Sequence, residues 1–187
     1  MSETLIVAIL GIAGTLLAPL ISQFSDNNRA RNERKLHAQK ARFDLEFELY
    51  QTLVEKHLTM VYDIGAAVIL SRGGSYPGGK TNRDFISLAG QHIDDAEMQN
   101  KKSAPFISKD IFDTYKKLGK LSYNAISMFS LFCSFEETGY SEIKYKDKLY
   151  TKSEAKKDLE TMQKEISDLS DAVLDKVRDY ISKSSLK

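Results

Sequence analysis

Phe43-Asp-Leu-Glu-Phe-Glu-Leu-Tyr50-Gln-Thr-Leu-Val-Glu-Lys-His57-Leu-Thr-Met-Val61-Tyr-Asp-Ile64-Gly-Ala-Ala-Val68 is the stretch on which the fold turns. Within it Phe43, Phe47, Tyr50, Val54, His57, Val61, Ile64 and Val68 advance in alternating steps of four and three. That spacing places all of them on one face of an α-helix. A long helix with one apolar side must bury that side, so further helices with matching faces are expected downstream.

The rest of the chain supplies them. A second helix is predicted over about residues 83–100, burying Phe85, Ile86, Leu88, Ala89, Ile93 and Ala96. A third begins at Ser108, whose hydroxyl can cap it, and carries Ile111, Tyr115, Leu118, Ser122, Ala125, Phe129 and Phe132 in the same rhythm. The last opens on the capping box Thr151-Lys-Ser-Glu154 and runs through Ala155, Leu159, Met162, Ile166, Leu169, Val173, Val177 and Tyr180. Helices of this kind joined by loops predict an antiparallel bundle. Residues 140–150 break the period: Ile143, Tyr145, Leu149 and Tyr150 alternate with lysines, which reads as a small β-hairpin or an extended loop. Residues 121–135 lack any charge, are too short to span a bilayer, and are expected to be the most buried helix of the bundle.

Upstream of the bundle, Thr4-Leu-Ile-Val-Ala-Ile-Leu-Gly-Ile-Ala-Gly-Thr-Leu-Leu-Ala-Pro-Leu-Ile-Ser-Gln-Phe-Ser25 is uncharged throughout. About 20 helical residues cross the roughly 30 Å core of a bilayer, so this run predicts a single transmembrane helix. A cleaved export signal would open with positive charge and end in small residues, whereas this chain opens Met1-Ser2-Glu3 and carries Pro19. Residues 26–42 then hold six Lys/Arg against two acids. Positive charge on that flank alone predicts a cell-membrane protein with its C-terminal domain in the cytoplasm. The expected organisation is an anchor at 1–25, a basic juxtamembrane helix at 26–42 and a helical bundle at 43–187. Arg29, Arg31, Arg34 and Lys35 are the candidates for contact with anionic lipid headgroups. In the anchor, Gly11, Gly14, Thr15 and Ala18 form a face of small residues that would let two copies approach closely, so a homo-oligomer is expected.

Gly74-Ser-Tyr-Pro-Gly-Gly79-Lys80-Thr81 matches the phosphate-binding pattern G-x-x-x-x-G-K-[ST]. That loop works at the end of a strand in a parallel sheet, with an acidic residue on a neighbouring strand completing the metal site. No such strand follows here, and Ile64 and Val68 continue the helical stripe into the stretch that would have to be the first one. The glycines therefore read as an inter-helix connector. Arg72, Gly79, Lys80, Thr81 and Arg83 nonetheless remain candidates for binding an anion beside a helix N-terminus.

No other chemistry is legible. The histidines, His37, His57 and His92, lack Glu-x-x-His and His-Glu-x-x-His spacing, and the single cysteine, Cys133, allows neither a Cys-x-x-Cys zinc site nor a disulfide framework. His57 is expected as a hydrogen-bonded core residue, and His92 with Asp95 as a surface pair. Cys133 sits in an apolar run without basic neighbours, which argues against a nucleophile. A net charge of +1 gives no electrostatic reason to expect a nucleic-acid partner. No metal or cofactor is expected, and the chain reads as a binding protein of the adaptor, sensor or membrane-effector kind rather than an enzyme. Its expected partners are membrane lipids and a protein or small ligand. A nucleotide- or anion-binding protein and a membrane-permeabilising oligomer are the alternatives.

Overall fold

The computed structural model describes the backbone of residues 3–75 and 81–184 and the side chains of residues 26–75 and 81–182. Among these the chain is mainly helical, with α1 at Glu3–Ser71, α2 at Asn82–Ser103, α3 at Lys109–Thr138 and α4 at Lys152–Ser184. A two-stranded sheet, β1 at Glu142–Tyr145 and β2 at Lys148–Thr151, joins α3 to α4. The chain divides into two compact units, Met1–Leu45 and Glu46–Lys187.

In the first unit the helical backbone runs without interruption through Asp26, Asn27 and Asn28. These residues are weak helix formers, costing at most about 0.7 kcal/mol each against alanine, too little to break a helix with good formers on both sides. Among the described residues no helix is long and apolar enough to cross a membrane. The run at 4–25 lies outside the residues whose side chains are described.

The second unit is the bundle. Its neighbours are identified by the pairs that join them: Lys56 with Asp95 and Asp63 with His92 link α1 to α2, and Arg72 with Glu160 links α1 to α4. Lys176 with Asp110 and Lys117 with Glu165 link α4 to α3. Where two pairs join the same helices, α1 with α2 and α3 with α4, the numbers rise on one helix as they fall on the other, so these neighbours are antiparallel. Most of these pairs lie on the surface, where an ion pair is worth about 0–1 kcal/mol. Burial supplies the cohesion: Tyr50, Leu53, Met60, Ile64, Phe85, Ile93, Tyr115, Leu118, Phe129, Leu159, Ile166 and Val173 are essentially solvent-free. Each large apolar side chain so buried contributes about 1.5–3 kcal/mol.

Two expectations about faces need correction. Phe47 is about half exposed, and Val54 and Val61 are only partly buried, because the centre of the α1 face runs through Leu53, His57, Met60, Ile64 and Ala67. On α2, Ile86 and Leu88 are likewise only partly buried, and the buried line continues instead to Asn100 and Ser103. The expected faces of α3 and α4 match more closely: each α3 position named above is buried, and on α4 only Met162, Leu169 and Tyr180 are partly so.

The hairpin has a structural task. Its strands pair antiparallel with Ile143 opposite Tyr150 and Tyr145 opposite Lys148, leaving Lys146-Asp147 as a two-residue turn. β1 lies against α3 and β2 against α4. Ile143, Tyr145 and Tyr150 pack on the core, beside Met128 and Leu131 of α3. Most of residues 121–135 are buried, Ile126, Met128, Leu131, Cys133 and Phe135 along with the expected face, and this accounts for the lack of charge there.

Candidate functional site

The end of α1 and the start of α2 enclose the glycine-rich loop. Residues 66–70, which would be a strand in a phosphate-binding domain, are the last turns of α1. The helix stops on Gly73, in the left-handed region with φ 91°. Gly74 N–H donates to the Ile69 carbonyl at 3.1 Å and Gly73 N–H to the Leu70 carbonyl at 3.0 Å, the paired bonds of a Schellman stop. A Cβ on Gly74 would lie 2.7 Å from Ile69 Cγ2 and 2.9 Å from the Ile69 carbonyl oxygen. Both glycines are therefore required by the helix terminus, without appeal to a bound phosphate.

Thr81 caps α2. Its hydroxyl accepts from Asp84 N–H at 3.2 Å and donates to Asp84 Oδ2 at 2.8 Å, while Asp84 also accepts the Thr81 N–H at 3.0 Å. This is a reciprocal capping box, and it occupies the group that would otherwise face a magnesium ion. Arg72 Nε donates to Glu160 Oε1 at 2.9 Å, and Arg83 is exposed on the first turn of α2. Gly79 and Lys80 lie outside the described residues. Beside Arg72, a shallow groove lined by Ser71, Phe132, Glu136, Lys152 and Lys156 brings basic groups together, but Lys152 donates to Glu136 at 3.0 Å. Of the anion-site candidates, Arg72 and Thr81 are thus engaged with neighbouring acids.

The basic residues of the first unit, Arg29, Arg31, Arg34 and Lys35, are all exposed on α1. Arg31, Arg34 and Lys35 stand three and four apart and share one side of the helix, with Arg29 on another. Gly11, Gly14, Thr15 and Ala18 lie on α1 outside the residues whose side chains are described.

The ionisable groups inside the bundle are structural in character. His57 is buried, its Nδ1–H donates to the Leu53 carbonyl at 2.7 Å, and its ring lies 3.8 Å from that of Tyr115. Burial lowers its pKa to about 4, against the smaller opposing effect of the Leu53 bond. Burial likewise raises Tyr50 and Tyr115 well above the ordinary phenol range. Cys133 is buried, and burial, with Glu136 and Glu137 nearby, pushes its thiol up to about 12, far from a reactive thiolate. The surface pairing expected of His92 with Asp95 does not form: His92 bonds Asp63 across the α1–α2 interface, and Asp95 takes Lys56. Tyr123 donates to Asp94, an α3–α2 bond with no signature in spacing. Among the described residues no group of His, Cys, Asp and Glu could hold a metal ion.

One further surface stands out. Between Lys56 and Arg72, α1 has a single charged residue, Asp63, and it faces inward. The opposite side of the same turns exposes Leu58, Tyr62 and Ile69, with Gly65 and Ala66 between them. No protein-family model, curated protein or solved structure matches the chain.

Proposed function

We propose that this is a single-pass membrane-anchored binding protein, in which residues 4–25 hold the helical bundle at the cytoplasmic face of a membrane. The observation that carries the reading is the sequence of that run, uncharged from Thr4 to Ser25 and followed directly by a basic helix whose arginines are exposed. The bundle supports binding rather than chemistry: its histidines and its cysteine are committed to packing and hydrogen bonds. The partners of this reading are anionic lipid headgroups at Arg29, Arg31, Arg34 and Lys35, and a protein docked on the bundle.

A nucleotide-binding reading of the glycine loop has less support. Gly73, Gly74 and Thr81 are explained by helix termination and capping, and the sheet is a two-stranded antiparallel hairpin. Membrane fractionation tests the proposed anchor. The chain should stay in the pellet after alkaline carbonate, and phosphatase fused after Lys187 should be inactive where a fluorescent protein at the same place is bright. Release by carbonate would remove the anchor, and an active phosphatase would reverse the orientation.

A further inference from the structure

The hairpin leaves the outer edge of β1 open. Tyr145 and Lys148 stand opposite each other at its two-residue turn. A turn of that length makes them a hydrogen-bonded pair, and such pairs alternate along an antiparallel ladder. The N–H and C=O groups of Ile143 and Tyr145 therefore point to β2, and those of Glu142 and Lys144 point away from it. Among the described residues these outward groups meet no other backbone group. A bare edge of this kind is a template for another strand.

A groove of about 470 Å³ runs beside the same edge. It is lined by residues 143–145 of β1 and by none of β2, with Ile126 and Leu131 of α3 and Ile86 and Gly90 of α2 as further walls. A Cβ on Gly90 would meet nothing within 4 Å, so the α2 wall has room in front of it. Glu142 and Lys144 lie two residues apart on one face of β1, exposed, and neither has an ionic partner among the described residues. Lys148 on β2, by contrast, is held by Glu154 at 3.8 Å and by the Tyr150 ring.

We propose that β1 takes up an extended segment of a partner protein as a third strand, antiparallel to it and seated in this groove. Only an extended backbone matches the two-residue repeat of the outward groups of Glu142 and Lys144. The charges set the segment's sequence: an acidic residue opposite Lys144, an apolar one opposite Ile143 on the α3 side, and a basic one opposite Glu142. Read from its N-terminus, the segment is acidic, apolar, basic. β1 has that order itself, but in a second copy it arrives with its own β2 and α3 attached, and α2 bounds the groove, leaving place for a lone strand. The inference deepens the binding reading and rests on it, naming how the docked protein is held, and it draws nothing from residues 1–45.

Fluorescence anisotropy with the full chain in detergent micelles tests it. The probe is labelled Tyr-Ser-Glu-Ile-Lys-Tyr, the sequence of residues 140–145 freed of the helices behind it. It should bind saturably, and the exchanged peptide Tyr-Ser-Lys-Ile-Glu-Tyr about tenfold more weakly, because two opposite-charge pairs become like-charge ones. Glu142→Lys combined with Lys144→Glu should invert that preference. N-methylation of the probe's glutamate removes the N–H that reaches the Lys144 carbonyl and should abolish binding, whereas N-methylation of its isoleucine, whose N–H faces away from β1, should not. Gly90→Leu, which fills the groove from a position with room for it, should also block the probe. Absence of binding, equal binding of the two peptides or equal effects of the two N-methyl groups would overturn strand addition. A full-chain dimer that the probe disperses would overturn the partner segment in favour of a second copy. Failure of the probe with a chain that still resists carbonate would remove the edge site and leave the anchored protein standing.

Discussion

His92 on α2 and Asp63 on α1 meet across the helix interface, Nδ1 to Oδ2 at 2.7 Å, with the aspartate 94% shielded and the histidine about a third exposed. Burial raises the Asp63 pKa above the ordinary carboxylate value, and the bond from His92 opposes that rise without cancelling it. A carboxyl raised in the folded state loses stability as pH climbs through its folded pKa, and His92 limits the loss.

Removing the histidine should be costly. His92→Ala leaves a buried carboxylate without its bond, and the full chain should lose about 2 kcal/mol at pH 7 in denaturant unfolding. Asp63→Leu combined with His92→Ala should recover most of that loss, because no buried charge then remains. A double variant as unstable as the single one would show that the histidine acts through packing instead.

His57 gives the opposite dependence on pH. Its folded pKa of about 4 lies below the ordinary value of 6.5, so below pH 6.5 the unfolded chain binds a proton that the folded chain refuses. Stability is whole above 6.5 and falls as pH drops toward 4, by about 2 kcal/mol between pH 7 and pH 5. His57→Phe keeps a ring against Tyr115 and removes the titration. Between pH 7 and pH 5 the parent should lose about 2 kcal/mol more than the variant in denaturant unfolding; equal losses would assign the acid sensitivity to other groups.

Ser122 is fully buried on α3, and its Oγ has no hydrogen-bond partner among the described residues. Desolvating an unbonded hydroxyl costs about 1–3 kcal/mol, so Ser122→Ala should raise stability, by roughly 1 kcal/mol after the small loss of packing. Thermal unfolding reads this directly, and a lowered midpoint would reveal a bond the hydroxyl makes.

Lys146 holds the first position of the hairpin turn at φ 55°, a region costing a side-chain-bearing residue about 1–2 kcal/mol. Lys146→Gly should stabilise the chain by about 0.5–1 kcal/mol, since glycine's own entropy offsets part of the relief. Lys146→Val should act in reverse. The two variants compared in urea titrations would expose a turn under no strain if they matched.

Thr81→Ala separates a helix cap from a phosphate loop. Loss of the capping box should lower stability by about 1 kcal/mol, by the same amount with or without magnesium and ATP. A destabilisation that appears only as lost protection by the nucleotide would restore the phosphate-binding reading of Lys80 and Thr81.

These particulars mark where local sequence suffices. The rhythm from Ile111 to Phe132 and the box Thr151 to Glu154 act within one helix, and period and spacing alone identify them. Phe47 was misplaced because residues three and four apart define a face only to within about half a turn, and the competing line through Leu53 and Met60 lies inside that margin. The Thr81–Asp84 box has the same S/T-x-x-acid signal as Thr151–Glu154, but it is overlaid by a phosphate-loop pattern sharing its threonine. Asp63 and His92 are 29 residues apart. Which turn of α2 comes level with which turn of α1 depends on the packing of the whole bundle, and no local spacing encodes it.

The clasp of the hairpin over α3 bears on the order in which the chain assembles. α3, the hairpin and α4 are contiguous in sequence, and the two-residue turn brings Ile143 and Tyr150 together after the shortest of closures. Contacts between near neighbours along the chain demand the least ordering of the intervening residues and form first. Residues 109–184 would then be the template on which α2 and finally α1 settle. Pulse-labelled hydrogen exchange should find the amides of Phe129 and Leu159 protected before that of Met60, and the bundle's part of α1 would be the last helix to be sheltered and the first to come loose.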